Sequence, residues 1–257
     1  MTKKNLKKIF QINAVTLGSW ITIGNVAVAE IMANAGFDWL AVDLEHGAIS
    51  ISEAADIIRV IELCGVAPLV RLTSNNSNQI KRVMDAGAHG VIVPMVNTKL
   101  DAMNAVASVK YPPLGIRGVG LARAQGYGAN FKEYLEWQAT QAVIIVMIEH
   151  IDAIANLKEI LAVPGVDGFF IGPFDLSCSL GIPGKFDDPK FIEAMNDIQN
   201  IGFHSGSVPG LHIVEPNLNE LNNRVQEGYR FIAYSVDSRI LDVGVRQGVN
   251  FVKDVGV

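Results

Sequence analysis

Two carboxylates stand just beyond short apolar runs. Glu149 follows the run 142–148, and Asp175 follows Gly168-Phe169-Phe170-Ile171 after Gly172-Pro173-Phe174. Mg²⁺ is usually held by one or two carboxylates, with waters and substrate oxygens completing its octahedron. A pair delivered by neighbouring strands meets that need. It leaves positions where a 2-oxo acid can chelate through its carboxylate and keto oxygens while the metal, as a Lewis acid, stabilises an enolate. Each residue also has a plain structural reading. Glu149 suits the N-terminal end of a helix, where the dipole favours an acid. Asp175 suits a helix cap within Phe174-Asp175-Leu176-Ser177.

Other reactive types fall at similar places. His46, in Asp43-Leu44-Glu45-His46-Gly47, is a candidate base, with Asp43 three residues earlier to orient its imidazole. The alternative is a structural loop histidine. Glu45 reads as a second acid or a solvated loop residue. Arg71 ends the apolar run Pro68-Leu69-Val70-Arg71, where a guanidinium suits capture of a carboxylate or polarisation of a keto oxygen. A structural ion pair with Asp43 is its rival reading. Arg117 and Arg123 lie in a glycine-rich stretch, 111–130, and suit either an acidic substrate tail or solvent. An imine-forming aldolase needs a lysine inside a strand, and no lysine falls in any expected strand.

These residues need strands that end side by side. Strands are expected at 16–21, 39–43, 67–72, 90–94, 142–148, 168–171, 205–208 and 231–235. Helices are expected at 26–35, 51–63, 78–86, up to 109, 153–161, 189–201, 215–227 and 238–247. Eight strands alternating with helices, without a break in composition, predict one (β/α)8 TIM-type barrel over 1–257, with a short N-terminal helical lead-in and a long loop at 111–130. A doubly wound sheet would show a glycine-rich turn after its first strand, and Thr22-Ile23-Gly24-Asn25 is not one.

The chain has 257 residues, 49% hydrophobic and only 18% charged, with a net charge of −5. The low charged fraction suggests surface buried between subunits. The cluster Lys3, Lys4, Lys7 and Lys8 reads as a solvated helix end, so no nucleic-acid partner is expected. No apolar run reaches eighteen residues and no signal peptide is visible, so the expectation is no membrane and a cytoplasmic location. Cys64 and Cys178 form no metal motif or disulfide framework.

Asp43-Leu44-Glu45-His46-Gly47, Pro68-Leu69-Val70-Arg71, Val93-Pro94-Met95-Val96, the segment from Tyr111 to Gly118 (YPPLGIRG) and the segment from Gly168 to Ser177 (GFFIGPFDLS) together resemble the HpcH/HpaI aldolase family. The likeness, to its class II pyruvate aldolases, runs from about 15 to 247. It implies a barrel, a divalent metal (Mg²⁺, Mn²⁺ or Co²⁺), and reversible retro-aldol release of pyruvate and an aldehyde from a 4-hydroxy-2-oxo acid. By position it makes Glu149 and Asp175 the metal ligands. It makes His46 the acid/base acting through a metal-bound water, and Asp43 its orienter. Arg71 becomes the group that holds pyruvate, and Gly172 and Pro173 line the pyruvate pocket. It also implies a homo-oligomer, a hexamer with a helix exchanged between subunits. Two positions depart from the family. Met147 stands where Gln is common, and Phe203 lies in a segment, Gly202-Phe203-His204-Ser205-Gly206, that lacks the usual Lys. Both bear on the aldehyde.

Three rivals remain beside the aldolase. An oxaloacetate decarboxylase or macrophomate-synthase-like enzyme would use the same enolate. A non-catalytic binding barrel would not need the acid, His and Arg set. A citrate lyase β-subunit-like enzyme would need a nucleotide site, and no sequence feature marks one.

Overall fold

The computed structural model describes residues 4–255. Eight strands form a closed parallel barrel in chain order. They are β1 (Thr16–Ile21), β2 (Trp39–Asp43), β3 (Ala67–Arg71), β4 (Gly90–Val93), β5 (Val143–Ile148), β6 (Gly168–Ile171), β7 (Val208–Ile213) and β8 (Phe231–Val236). The helices are α1 (Leu6–Gln11), α2 (Val26–Asn34), α3 (Ile51–Leu63), α4 (Ser77–Ala86), α5 (Lys99–Val109), α6 (Phe131–Thr140), α7 (Ile151–Ala155), α8 (Leu157–Leu161), α9 (Pro173–Ser179), α10 (Pro189–Gly202), α11 (Leu218–Glu227) and α12 (Asp237–Asp254). The fold is thus the expected (β/α)8 barrel.

Strands buried on both faces must be apolar throughout, and β5, Val-Ile-Ile-Val-Met-Ile, is buried at every position. One layer of side chains packs between strands and helices. A second fills the barrel, where the rings of Trp39 and Phe231 stack at 4.1 Å and that of Trp20 stands edge-on to Phe170 at 5.4 Å. Gly18 makes this filling possible, because a Cβ there would lie 2.0 Å from the Trp39 ring.

The barrel has one closed end. Leu6 of α1 is buried, and Phe10 sets its ring edge-on to Phe231 at 5.9 Å. Lys4 pairs with Asp38, and Lys7 with Asp167 at 2.8 Å. Both acids immediately precede strands, so α1 covers the N-terminal mouth. The lysine cluster is therefore partly tied down rather than solvated; its first member, Lys3, lies outside the described residues. Chemistry is left to the C-terminal mouth.

Several boundaries differ from expectation. β7 begins at Val208, not 205. Ser205 to Ser207 form the turn leaving α10, with Gly206 at φ +84 and the Ser205 hydroxyl accepting from the Ser207 amide. The apolar run after the turn then supplies the strand. The helix expected at 153–161 is two short helices meeting at Asn156. α11 starts at Leu218, after Pro216, with Asn217 as its cap. The long loop holds a short 3₁₀ segment, Arg123–Gly128, and α6 follows it. Among the described residues, no helix is long and apolar enough to cross a membrane.

Candidate active site

Asp43 and Arg71 end adjacent strands in register. Arg71 donates from Nε to Asp43 Oδ1 at 2.8 Å and from Nη2 to Oδ2. The guanidinium also lies 4.5 Å over the Trp20 ring. Asp43 is buried, and its Oδ1 further accepts from the backbone N–H of Glu45 (3.0 Å) and of His46 (3.3 Å). Asp43 thus shapes the loop beneath His46 and fixes Arg71. It makes no contact with the imidazole it was expected to orient. The carboxylate nearest that ring is Glu45, 3.9 Å from His46 Nε2, with His46 itself well exposed.

The ion pair with Asp43 does not exhaust Arg71. A guanidinium carries five N–H donors, and Asp43 takes two. The rest remain at a site lined by His46, Arg71, Gly172, Pro173 and Asp175, around a cavity of about 260 Å³.

Glu149 lies directly after β5 and is buried. Its Oε1 accepts from the Met95 backbone N–H at 2.6 Å. That amide is aimed by an unusual conformation, since Met95 sits at φ +51, in the left-handed region. The residue capping α7 is His150, so Glu149 is not a helix-end acid. Burial pushes its carboxyl up to about 7, with the charges of Glu45 and Asp175 adding and the Met95 N–H opposing. Gly172 is required beside it, because a Cβ there would fall 2.9 Å from Glu149 Oε2.

Asp175 lies in the first turn of α9, whose N-cap is Gly172. Its carboxylate takes no hydrogen bond or ion pair with any described residue, so it does not cap the helix. Glu45 is also pushed up to about 7, first by burial, with Asp43 and Asp175 adding and Arg71 opposing.

Four carboxylates therefore converge on one guanidinium, which Asp43 already neutralises. Among the described residues Glu149 Oε2 and Asp175 are left without hydrogen-bond partners, and the excess negative charge suits a divalent cation. Among the described residues, no three His, Cys, Asp or Glu side chains form a ready-made cage. Two carboxylates with open positions are the arrangement a substrate-chelated Mg²⁺ or Mn²⁺ requires.

Other expectations are corrected. Arg117 is buried between the rings of Tyr111 (4.1 Å) and Tyr134 (5.4 Å), and donates to the Tyr134 hydroxyl at 3.0 Å. Arg123 pairs with Glu62 and donates to the Ala86 carbonyl at 3.0 Å. Both fasten the long loop, and neither is offered to a substrate tail. Among the described residues no lysine lies in a strand. The buried Lys110 follows α5 and is held by the carbonyls of Gln138 and Ala139. Two contributors were missed. One is the Met95 amide. The other is His212, which lines the cavity near the end of β7; starting that strand at Val208 would have marked it.

The site has parallels. The family model described as HpcH/HpaI aldolase/citrate lyase matches residues 16–242. A hydroxypyruvate/pyruvate aldolase of Sagittula stellata is 36% identical, with 94% of each chain covered. A 4-hydroxy-2-oxo-heptane-1,7-dioate aldolase of Salmonella typhimurium is also 36% identical, over 94% of this chain and 92% of that one. A solved HpcH/HpaI aldolase/citrate lyase family protein from Burkholderia cenocepacia superposes with a TM-score of 0.91 at 31% identity, covering 96% of this chain and 98% of that one. With barrel, strand-end acids and nearly full-length similarity in agreement, the chain belongs to the HpcH/HpaI aldolase/citrate lyase family.

Proposed function

We propose that the enzyme cleaves a 4-hydroxy-2-oxo acid reversibly to pyruvate and an aldehyde, using a divalent cation (Mg²⁺, Mn²⁺ or Co²⁺) held by Glu149 and Asp175. The observation that carries this is the mutual repulsion of Glu149, Asp175 and Glu45 beside a cavity that Asp175 lines together with Arg71, whose guanidinium is already paired with Asp43. When bound, the cation supplies Lewis-acid polarisation of the substrate's 2-keto oxygen.

The chain's own groups do the rest. Arg71, locked by Asp43, directs its remaining N–H groups at the 2-oxo acid's oxygens. Gly172 and Pro173 form the wall beside pyruvate, and Gly172 lets that wall approach Glu149. His46 accepts the proton of the 4-hydroxyl. The C3–C4 bond breaks, its electron pair passes into the enolate of pyruvate, and the aldehyde carbonyl forms. The same proton then returns to C3, so the step balances without a redox partner. Glu45 lies 3.9 Å from His46 Nε2 and 3.6 Å from Arg71 Nε, between the base and the guanidinium. Met147 and Phe170 keep the floor of the cavity apolar.

The working form is a homo-oligomer, hexameric by family likeness. Supporting this, Leu241, Val245 and Val249 form an exposed apolar stripe at intervals of four on α12. Sedimentation tests it. The chemistry is tested by incubating the protein with Mg²⁺ and a 4-hydroxy-2-oxo acid. Stoichiometric pyruvate and aldehyde are expected, whereas inertness towards that substrate with carbon dioxide and pyruvate released from oxaloacetate would make it a decarboxylase.

A further inference from the structure

His212 stands on a wall shared by two cavities. One is the site cavity. The other, of about 330 Å³, adjoins it through Pro173, Phe174, His212 and Val214 and extends to Phe186 and Phe191. The His212 Nε2 lies 3.2 Å from the Ser235 carbonyl oxygen. A carbonyl only accepts, so Nε2 carries the hydrogen and Nδ1 presents a lone pair. Among the described residues Nδ1 has no hydrogen-bond partner, and it is not sealed from solvent. The ring is set against Trp20, 5.9 Å between centroids, which fixes its plane.

Arg71 lines only the first cavity, and the second, beyond His212, is the adjoining space available to an aldehyde half. That second cavity offers aromatic surface, with the rings of Phe174 and Phe186 edge-on at 4.9 Å. Among the described residues its lining sets two carboxylates, Glu215 and Glu220, against one cation, Arg224, whose charge Glu220 and Glu227 already match.

The geometry points to His212 as a specificity-determining residue that accepts a hydrogen bond from a hydroxyl beside the aldehyde carbonyl, so that the acceptor is a neutral 2-hydroxyaldehyde rather than a semialdehyde ending in a carboxylate. This rests on the aldolase reading above. Burial strengthens the assignment, holding the imidazole down to about 4 and hence neutral during turnover. Once substrate covers Nδ1, an acceptor facing a substrate that lacks the donor is left unpaired, and sites discriminate strongly on that basis.

The test uses the full chain with Mg²⁺ and pyruvate in the condensation direction, comparing kcat/KM for 2-hydroxypropanal, 2-fluoropropanal, propanal and 4-oxobutanoate. The fluoro compound keeps the electron withdrawal and loses the donor. Wild-type protein should favour the hydroxyaldehyde over the fluoro analogue by about tenfold and use 4-oxobutanoate worst. His212→Leu should abolish that preference, with a circular-dichroism melting curve reporting that the variant is folded. His212→Gln, which keeps an acceptor, should restore part of it. Equal wild-type rates for the hydroxy and fluoro compounds, or a preference unchanged in His212→Leu, overturn the role of His212 alone. Failure of wild-type protein to condense pyruvate with any of the four overturns the aldolase reading and this one with it.

Discussion

Asp43 and Arg71 face each other at the ends of β2 and β3 and join through two N–H···O contacts, with Asp43 buried and Arg71 mostly so. The pair acts as a hinge pin. One edge of the guanidinium is spent on Asp43, which holds the other still at the cavity. Asp43 also secures the backbone at His46, so a single carboxylate positions both the His46 loop and the Arg71 guanidinium.

Arg71→Lys should therefore be costly although it conserves charge. A lysine ammonium is a point charge and cannot hold Asp43 and substrate at once in a planar fork. We expect kcat/KM to fall by about a hundredfold, or ~2.7 kcal/mol of transition-state stabilisation. Steady-state kinetics with a melting curve would check this, and full activity would remove Arg71 from the chemistry.

Gly172→Ala places a methyl 2.9 Å from Glu149 Oε2 and 3.0 Å from its Cβ. The carboxylate must move. Affinity for Mn²⁺, measured by calorimetry, is expected to drop at least tenfold, with a stability loss of about 1–3 kcal/mol from overpacking.

Arg117 should behave in the opposite way. It is enclosed between two tyrosines and paired with Asp85 at 3.5 Å. Arg117→Met should cost about 3 kcal/mol in a denaturant titration, because it leaves a half-buried carboxylate unpaired. The folded fraction should keep kcat/KM within about twofold.

These contrasts show what local sequence can and cannot carry. The strands were legible because short runs such as Val-Ile-Ile-Val-Met-Ile are too apolar for anything but a doubly buried strand. The placement of Glu149, Asp175, Arg71 and His46 at the C-terminal mouth was legible because the strands before them were, and strand C-termini are where a barrel displays its chemistry. Partners were not legible. Glu149 meets Met95, 54 positions away, through a backbone twist that no residue type announces, and Arg117 meets Tyr134 across the loop. His212 was hidden by an offset of three residues in β7, because Ser-Gly-Ser fits a strand start or a helix exit until the β6 register is known.

His212 also makes stability depend on pH. Its folded value, about 4, lies below the ordinary 6.5, because burial penalises the charged ring. Between these values the unfolded chain binds more protons, so stability rises with pH there and is lost as pH falls from 6.5 towards 4. In His212→Gln the melting temperature should vary less across that window. An unchanged slope would mean that the ring is already solvated.

The most direct measurement is pyruvate release from a 4-hydroxy-2-oxo acid before and after chelation, in wild-type protein and in Glu149→Gln. Wild-type activity should vanish with EDTA and return on adding Mg²⁺ or Mn²⁺. Glu149→Gln should retain its fold, bind Mn²⁺ at least tenfold more weakly and stay about a thousandfold slower at matched metal. Activity that survives both EDTA and Glu149→Gln would contradict a cation held by Glu149 and Asp175.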